Sequence, residues 1–309
     1  MDYDKGDPFS HLILLAGPTG SGKTNLVTQL DSSIFEVVSF DSRQVYAEMP
    51  IGTTQPTQEE LNLMPHHLVG YLSPKISVDA KSFSRLASNA IVEIRKRSKI
   101  PILVVGTGFY LKAFLYGMYP VPDIPDSIRN ELEGYSDSEV EAKLKAVDIE
   151  AYQSIQPNDF YRYRRALEVN LAGGLWSDHK KNIQGGFLKE HPNTKTIGYF
   201  LDWDRAILYD RINYRAKQLI DPMIEETKFI LEKYGRDCPG LRSIGYNFAI
   251  DFLDSKTSVD SFYEDIAKAH RNYAKKQITW FRKEPLLNSV SWDFAMESLR
   301  EFQLLVKNK

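Results

Sequence analysis

The 309 residues are 42% hydrophobic and 26% charged, with 39 Lys and Arg against 41 Asp and Glu. A formal net charge of −2 gives no whole-molecule basic field, so affinity for a nucleic acid must come from a local patch. One cysteine, Cys238, excludes an internal disulfide and a cysteine-rich zinc site, and no apolar run approaches the ~18 residues that cross a bilayer. The opening MDYDKGDPFS lacks the basic-then-apolar order of a signal peptide, so a reducing cytoplasm is the expected home.

Length alone predicts about two domains. The runs HLILLAG, FEVVSFD and IPILVVG, rich in Val, Ile and Leu, suit parallel strands buried on both faces. Between the second and third, residues 80–97 repeat apolar positions at helical spacing (Phe83, Leu86, Ala87, Ala90, Ile91, Ile94). YPVPDIPD at 119–126 has too much proline for strand or helix and reads as a boundary. Segments from 127 to 172 are charged and helical in pattern, 173–186 reads as a loop with paired glycines at each end, and TIGYFLDW returns as a strand. The tail is helical from 204, with a long segment at 258–283. The expected fold is therefore α/β: a P-loop core (1–118 and 194–309) with a parallel sheet flanked by helices, and a mainly helical insertion at 119–193.

Gly17-Pro18-Thr19-Gly20-Ser21-Gly22-Lys23-Thr24 fits G-x-x-x-x-G-K-[ST] after a strand and before a helix. Such a loop turns backbone N–H groups toward phosphate oxygens, as in cradles that hold the tail of ATP or GTP; Lys23 adds a cation and the Thr24 hydroxyl can ligate Mg²⁺. Asp41 directly follows the second strand, expected parallel to and beside the first, which places it toward the cradle. It can hold a metal from the second layer, act as a general base, or cap a helix. Gln44 carries an amide able to read a base edge. Lys268, Lys275 and Arg282 fall seven apart, with Arg271 near the same line, and form one basic helix face; Ile266, Tyr273 and Trp280 fall on the other, expected in the core. Arg162 and Arg165 are neighbours on a second helix. His66-His67 is set aside as a metal site, because adjacent side chains diverge; a packing or hydrogen-bonding role is expected.

The blocks GPTGSGKT, DSRQVY, IGTTQPTQEE, PHHL, GTGFYLKA, YRYRRALEV, DRINYRAKQL, LRSIGY and KKQITWFR together resemble, in order, the tRNA dimethylallyltransferases, also called tRNA isopentenyltransferases. The resemblance implies that the cradle, Gly17 through Thr24 with Arg215, holds the diphosphate of dimethylallyl diphosphate with Mg²⁺ at Thr24. It implies that Asp41 is the base, with Thr107 beside the reacting centre. The prenyl group then passes to the exocyclic amine of the adenine 3′ to the anticodon. It further implies tRNA contacts from Asp41, Ser42, Arg43, Gln44, Arg162, Arg165, Lys275, Lys276, Gln277 and Arg282, clamping an anticodon stem-loop, in a cytoplasmic monomer of bacterial type. The chain departs from the family pattern at Gln55, where lysine is usual, at Val105, at Tyr161 and at Asn247-Phe248. The rival readings are an adenylate isopentenyltransferase, a P-loop kinase with Arg162, Arg164 and Arg165 as lid arginines, and a non-catalytic RNA-binding switch protein.

Overall fold

Apolar runs become central strands because both of their faces find cover. The computed structural model describes residues 7–308. In chain order it contains β1 (His11–Ala16), α1 (Lys23–Val27), β2 (Phe35–Phe40), α2 (Gln58–Leu63), β3 (His66–His67), α3 (Ala80–Lys96), β4 (Ile100–Val105) and α4 (Gly108–Tyr116). There follow α5 (Asp126–Glu133), α6 (Asp137–Val147), α7 (Ile149–Ser154), α8 (Phe160–Gly173), α9 (Trp176–Lys181) and α10 (Phe187–Glu190). The remainder is β5 (Lys195–Leu201), α11 (Arg205–Tyr234), α12 (Tyr246–Leu253), α13 (Val259–Phe281), β6 (Asn288–Val290) and α14 (Trp292–Lys307).

All six strands pair in parallel in the order β3-β2-β4-β1-β5-β6. The expectation that β2 lies beside β1 is corrected: β4 stands between them, in register with both. Chain order could not reveal this, because a parallel crossover is free to skip a position. β1, β2 and β4 are buried along their whole length. Ile13, Leu15, Phe35, Val37, Ile102 and Leu201 share one core with Leu299 and Phe302 of α14. On alternate positions Phe40 meets Phe83 of α3 and Phe114 of α4 edge-on, both at 5.1 Å. The predicted spacing of α3 holds, with Phe83, Ala87, Ile91 and Ile94 on its buried face.

The described residues through Phe114 and those from His191 form one compact unit, and Leu115–Glu190 forms a second. The second unit has its own core of α-helical residues, including Leu132, Val140, Leu144, Tyr163, Leu167 and Trp176. The segment expected as a glycine-flanked loop at 173–186 contains α9, because Trp176 is buried in this core and its N–H donates to Asn170 Oδ1. Asp148 accepts from Ala151 N–H and Ser177 N–H with its two oxygens, joining α7 to α9.

His66 and His67 make β3, and their rings serve structure. His67 Nε2 lies 2.7 Å from Glu36 Oε2, and the same buried carboxylate pairs with Arg97 and Lys99. These three partners offset the cost of burying Glu36 and hold its carboxyl down at about 2.

Candidate active site

The carboxyl ends of β1, β2 and β4 open into one cavity of about 920 Å³ in the first unit. Residues from the cradle, the DSRQ segment, the loop 50–55, Thr107 and α11 all line it. β1 ends at Ala16, and the chain turns through the cradle into α1, whose first residue is Lys23. The first N–H groups of α1 have no carbonyl one turn back and are left for an anion.

The structure brings the predicted phosphate residues together but divides their tasks. Lys23 Nζ donates to Gly17 O at 2.7 Å and Pro18 O at 3.1 Å. Burial draws its pKa down to about 8; Arg215 acts in the same sense and Asp41 opposes both. Arg215 Nη1 donates to Thr19 Oγ1 at 3.4 Å. The Thr19 N–H is taken by Gln277 Oε1 at 2.8 Å and so does not face a phosphate. Ser21 is fully buried, and its hydroxyl has no hydrogen-bond partner among the described residues. An orphaned buried hydroxyl costs about 1–3 kcal/mol, which a bound oxyanion would offset.

Asp41 follows β2 directly, as the sequence predicts. No helix follows it; its Oδ1 instead accepts from Arg43 N–H at 2.8 Å and fixes a tight turn. A Cβ at Gly106 would stand 2.4 Å from Asp41 Oδ2, so only glycine at the exit of β4 leaves the carboxylate its place. Thr107, the next residue, accepts the Ser42 N–H at 3.2 Å. The interposed strand thus supplies the residues that pack beside Asp41.

One predicted RNA contact is corrected, and a second is partly engaged within the chain. Gln277, expected as a tRNA contact, is 6% exposed and bridges the cradle to the exit of β4 by donating to Gly106 O at 2.7 Å. It sits two positions past Lys275, about 200° round the helix, on the face that carries Tyr273 one turn earlier. The Gln44 amide is engaged at both ends: Nε2 donates to Thr54 O at 2.9 Å and Oε1 accepts from Ser39 at 2.8 Å. One N–H and one lone pair remain for a base edge. Lys275 and Lys276 are exposed and flank the half-buried Trp280, whose ring covers Gly108. Tyr273, expected in the core, is half-buried at the cavity wall and donates to Gly106 O at 3.2 Å. Arg282 pairs with Asp202 at 3.1 Å. In the second unit Arg162 pairs with Asp159 and Arg165 with Glu168, while Arg164 donates to the Leu132 and Tyr135 carbonyls.

Sequence reasoning missed four contributors. Arg211, one turn before Arg215, donates to Gly20 O at 2.7 Å with its guanidinium over the Trp203 ring. Arg242 lines the cavity. His270 is buried beside Arg215, and burial first, then that charge, pull its pKa down to about 4. Glu226 is 9% exposed and accepts from the Ile51 and Gly52 N–H groups. The helical spacing of Arg211 and Arg215 was a usable signal; an isolated His or Glu within a helix gives none.

No group of three or more His, Cys, Asp or Glu placed to hold a metal occurs among the described residues. The hard oxygens of Thr24 and Asp41 at the cavity fit an ion held largely by a ligand's phosphates, the usual habit of Mg²⁺. Among the described residues no helix is long and apolar enough to cross a membrane.

The arrangement sets an anion cradle and a carboxylate on one cavity, and known proteins with the same plan point one way. The chain is 52% identical to a tRNA dimethylallyltransferase of Leptospira biflexa, over 93% of this chain and 97% of that one. It is 47% identical to its Leptospira interrogans counterpart, over 94% and 99%. The solved tRNA isopentenylpyrophosphate transferase of Bacillus halodurans superposes with a TM-score of 0.67 at 30% identity, covering 95% of each chain. A eukaryotic dimethylallyltransferase solved acting on tRNA superposes at 0.73 with 25% identity, covering 91% of this chain and 74% of that one. The family model described as IPP transferase matches residues 44–284, and the chain belongs to that family.

Proposed function

We propose that the protein transfers a dimethylallyl group from dimethylallyl diphosphate to the exocyclic amine of the adenine 3′-adjacent to the anticodon of tRNA. The observation that carries this reading is the shared cavity: the cradle with Lys23, Thr24 and Arg215, and Asp41 beside Thr107, line the same space. The cradle, with Lys23, Thr24 and Arg215, binds the donor's diphosphate; a Mg²⁺ ion would be held through the Thr24 hydroxyl and would supply charge neutralisation to the leaving group. The adenine leaves its stack to enter the cavity. Its amine nitrogen forms a bond to the first carbon of the prenyl group as the bond from that carbon to the diphosphate oxygen breaks. The electron pair leaves with the diphosphate, which Lys23 and Arg215 stabilise, and Asp41 accepts the amine proton.

Exposed Lys275 and Lys276 on α13 offer one RNA-facing surface, and Arg162 and Arg165 offer another on the second unit. Labelled dimethylallyl diphosphate incubated with unmodified tRNA, AMP or ATP tests the reading: label must pass to tRNA alone. Asp41→Ala should abolish transfer while diphosphate binding stays largely intact. Label on AMP or ATP, or phosphoryl transfer from ATP, overturns the assignment.

A further inference from the structure

One wall of the cavity is the loop 50–55, and every residue of it lines the cavity. A free loop of this composition would have many conformations, so something fixes it. Thr53 donates to Met49 O, Thr54 N–H to Ile51 O and Gln55 Nε2 to Tyr46 O, and Glu226, on α11, anchors the loop from outside. Its Oε2 accepts from Ile51 N–H and its Oε1 from Gly52 N–H, both at 2.8 Å. Tyr246, at the start of α12, donates its hydroxyl to the same Oε1 at 2.5 Å. The Tyr246 ring covers Gly52 so closely that a Cβ there would meet it at 2.5 Å. Three donors converge on one nearly buried carboxyl: burial pushes its pKa above the usual range, and the hydrogen bonds from Tyr246, Gly52 and Ile51 oppose that shift.

The fixed loop then passes its geometry on. Thr54, held at φ 53°, presents its carbonyl to Gln44 Nε2. Gln44 lies in the turn that Asp41 Oδ1 builds. A continuous series of hydrogen bonds therefore runs from Glu226 through the loop to the carboxamide beside Asp41. None of these bonds reaches the cradle.

We propose that Glu226, with Tyr246, is a positioning residue for the acceptor half of the site: it sets the loop that orients Gln44 toward the incoming base. This rests on the transfer reaction proposed above. In Glu226→Gln an amide N–H must face one of the two loop N–H groups, so one bond is lost and two donors collide, at almost no change in volume. Tyr246→Phe keeps the ring on Gly52 and removes only the hydroxyl.

Steady-state transfer to tRNA, with binding of a non-reactive prenyl diphosphate analogue measured in parallel, tests the assignment. Glu226→Gln should lower kcat/KM for tRNA at least tenfold, and Tyr246→Phe should lower it severalfold. Affinity for the analogue should stay within twofold in both. Backbone amide exchange at Ile51 and Gly52 should accelerate in Glu226→Gln. Equal losses of tRNA use and analogue binding would mark a general structural role and overturn the assignment, as would two variants that match the parent. Should Glu226→Gln fail to fold, Tyr246→Phe decides by the same split. A parent that transfers no prenyl group at all overturns the reaction itself, and this role with it; a parent that transfers while both variants match it overturns the role alone.

Discussion

His270 and Lys23 carry the pH behaviour of the site. An ordinary histidine titrates near 6.5; His270, buried beside Arg215, titrates at about 4. Between these values the unfolded chain binds the extra proton, so stability is full above pH 6.5 and is lost as pH falls toward 4, by on the order of 3 kcal/mol. His270→Gln should shrink the difference in Tm between pH 7 and pH 4.5, read by thermal melts at both. Lys23 runs the other way for binding: its ammonium is lost above about pH 8 in the free protein. Calorimetric affinity for inorganic diphosphate should fall as pH rises through that point. Lys23→Ala should lack the inflection, which separates the side chain's titration from that of the ligand.

At the scale of elements, β1, β2, β4, β5 and α3 were legible because each is a run or stripe whose period survives in the sequence. β3 was not, since His66 and His67 carry no apolar run and pair only because β2 offers a free edge. α14 could have been read: Ser291 caps it by accepting the Phe294 N–H, and Ala295, Leu299 and Phe302 fall on one face. Leu299 is fully buried against the sheet. Leu299→Ala should cost about 2–5 kcal/mol in urea unfolding. In the site the motifs located the cradle, Asp41 and Arg215. The sheet order and the Glu226 hydrogen bonds depend on residues far apart in the chain, which no local pattern encodes; the inward side of Gln277, four residues after Tyr273, was within reach of the helical period.

For the whole molecule a net charge of −2 means that tRNA must be held by small basic surfaces. Lys275 and Lys276 are exposed beside Trp280, and no carboxylate pairs with them among the described residues. Reversing both to Glu should weaken tRNA binding and flatten its dependence on salt, by a slope of about 0.7–0.9 for each phosphate no longer neutralised. Filter binding between 50 and 200 mM salt checks it, and unchanged affinity would return that face to solvent.

α11 carries Arg215 and Glu226 on one helix, with Pro222 between them removing one backbone hydrogen bond. At about 1.5 Å and 100° per residue, adding or removing a single residue between them would swing one side chain away from its partner. The length of that stretch is therefore fixed, and its inward positions, Ala216, Ile220, Met223 and Ile224, are held by burial as well.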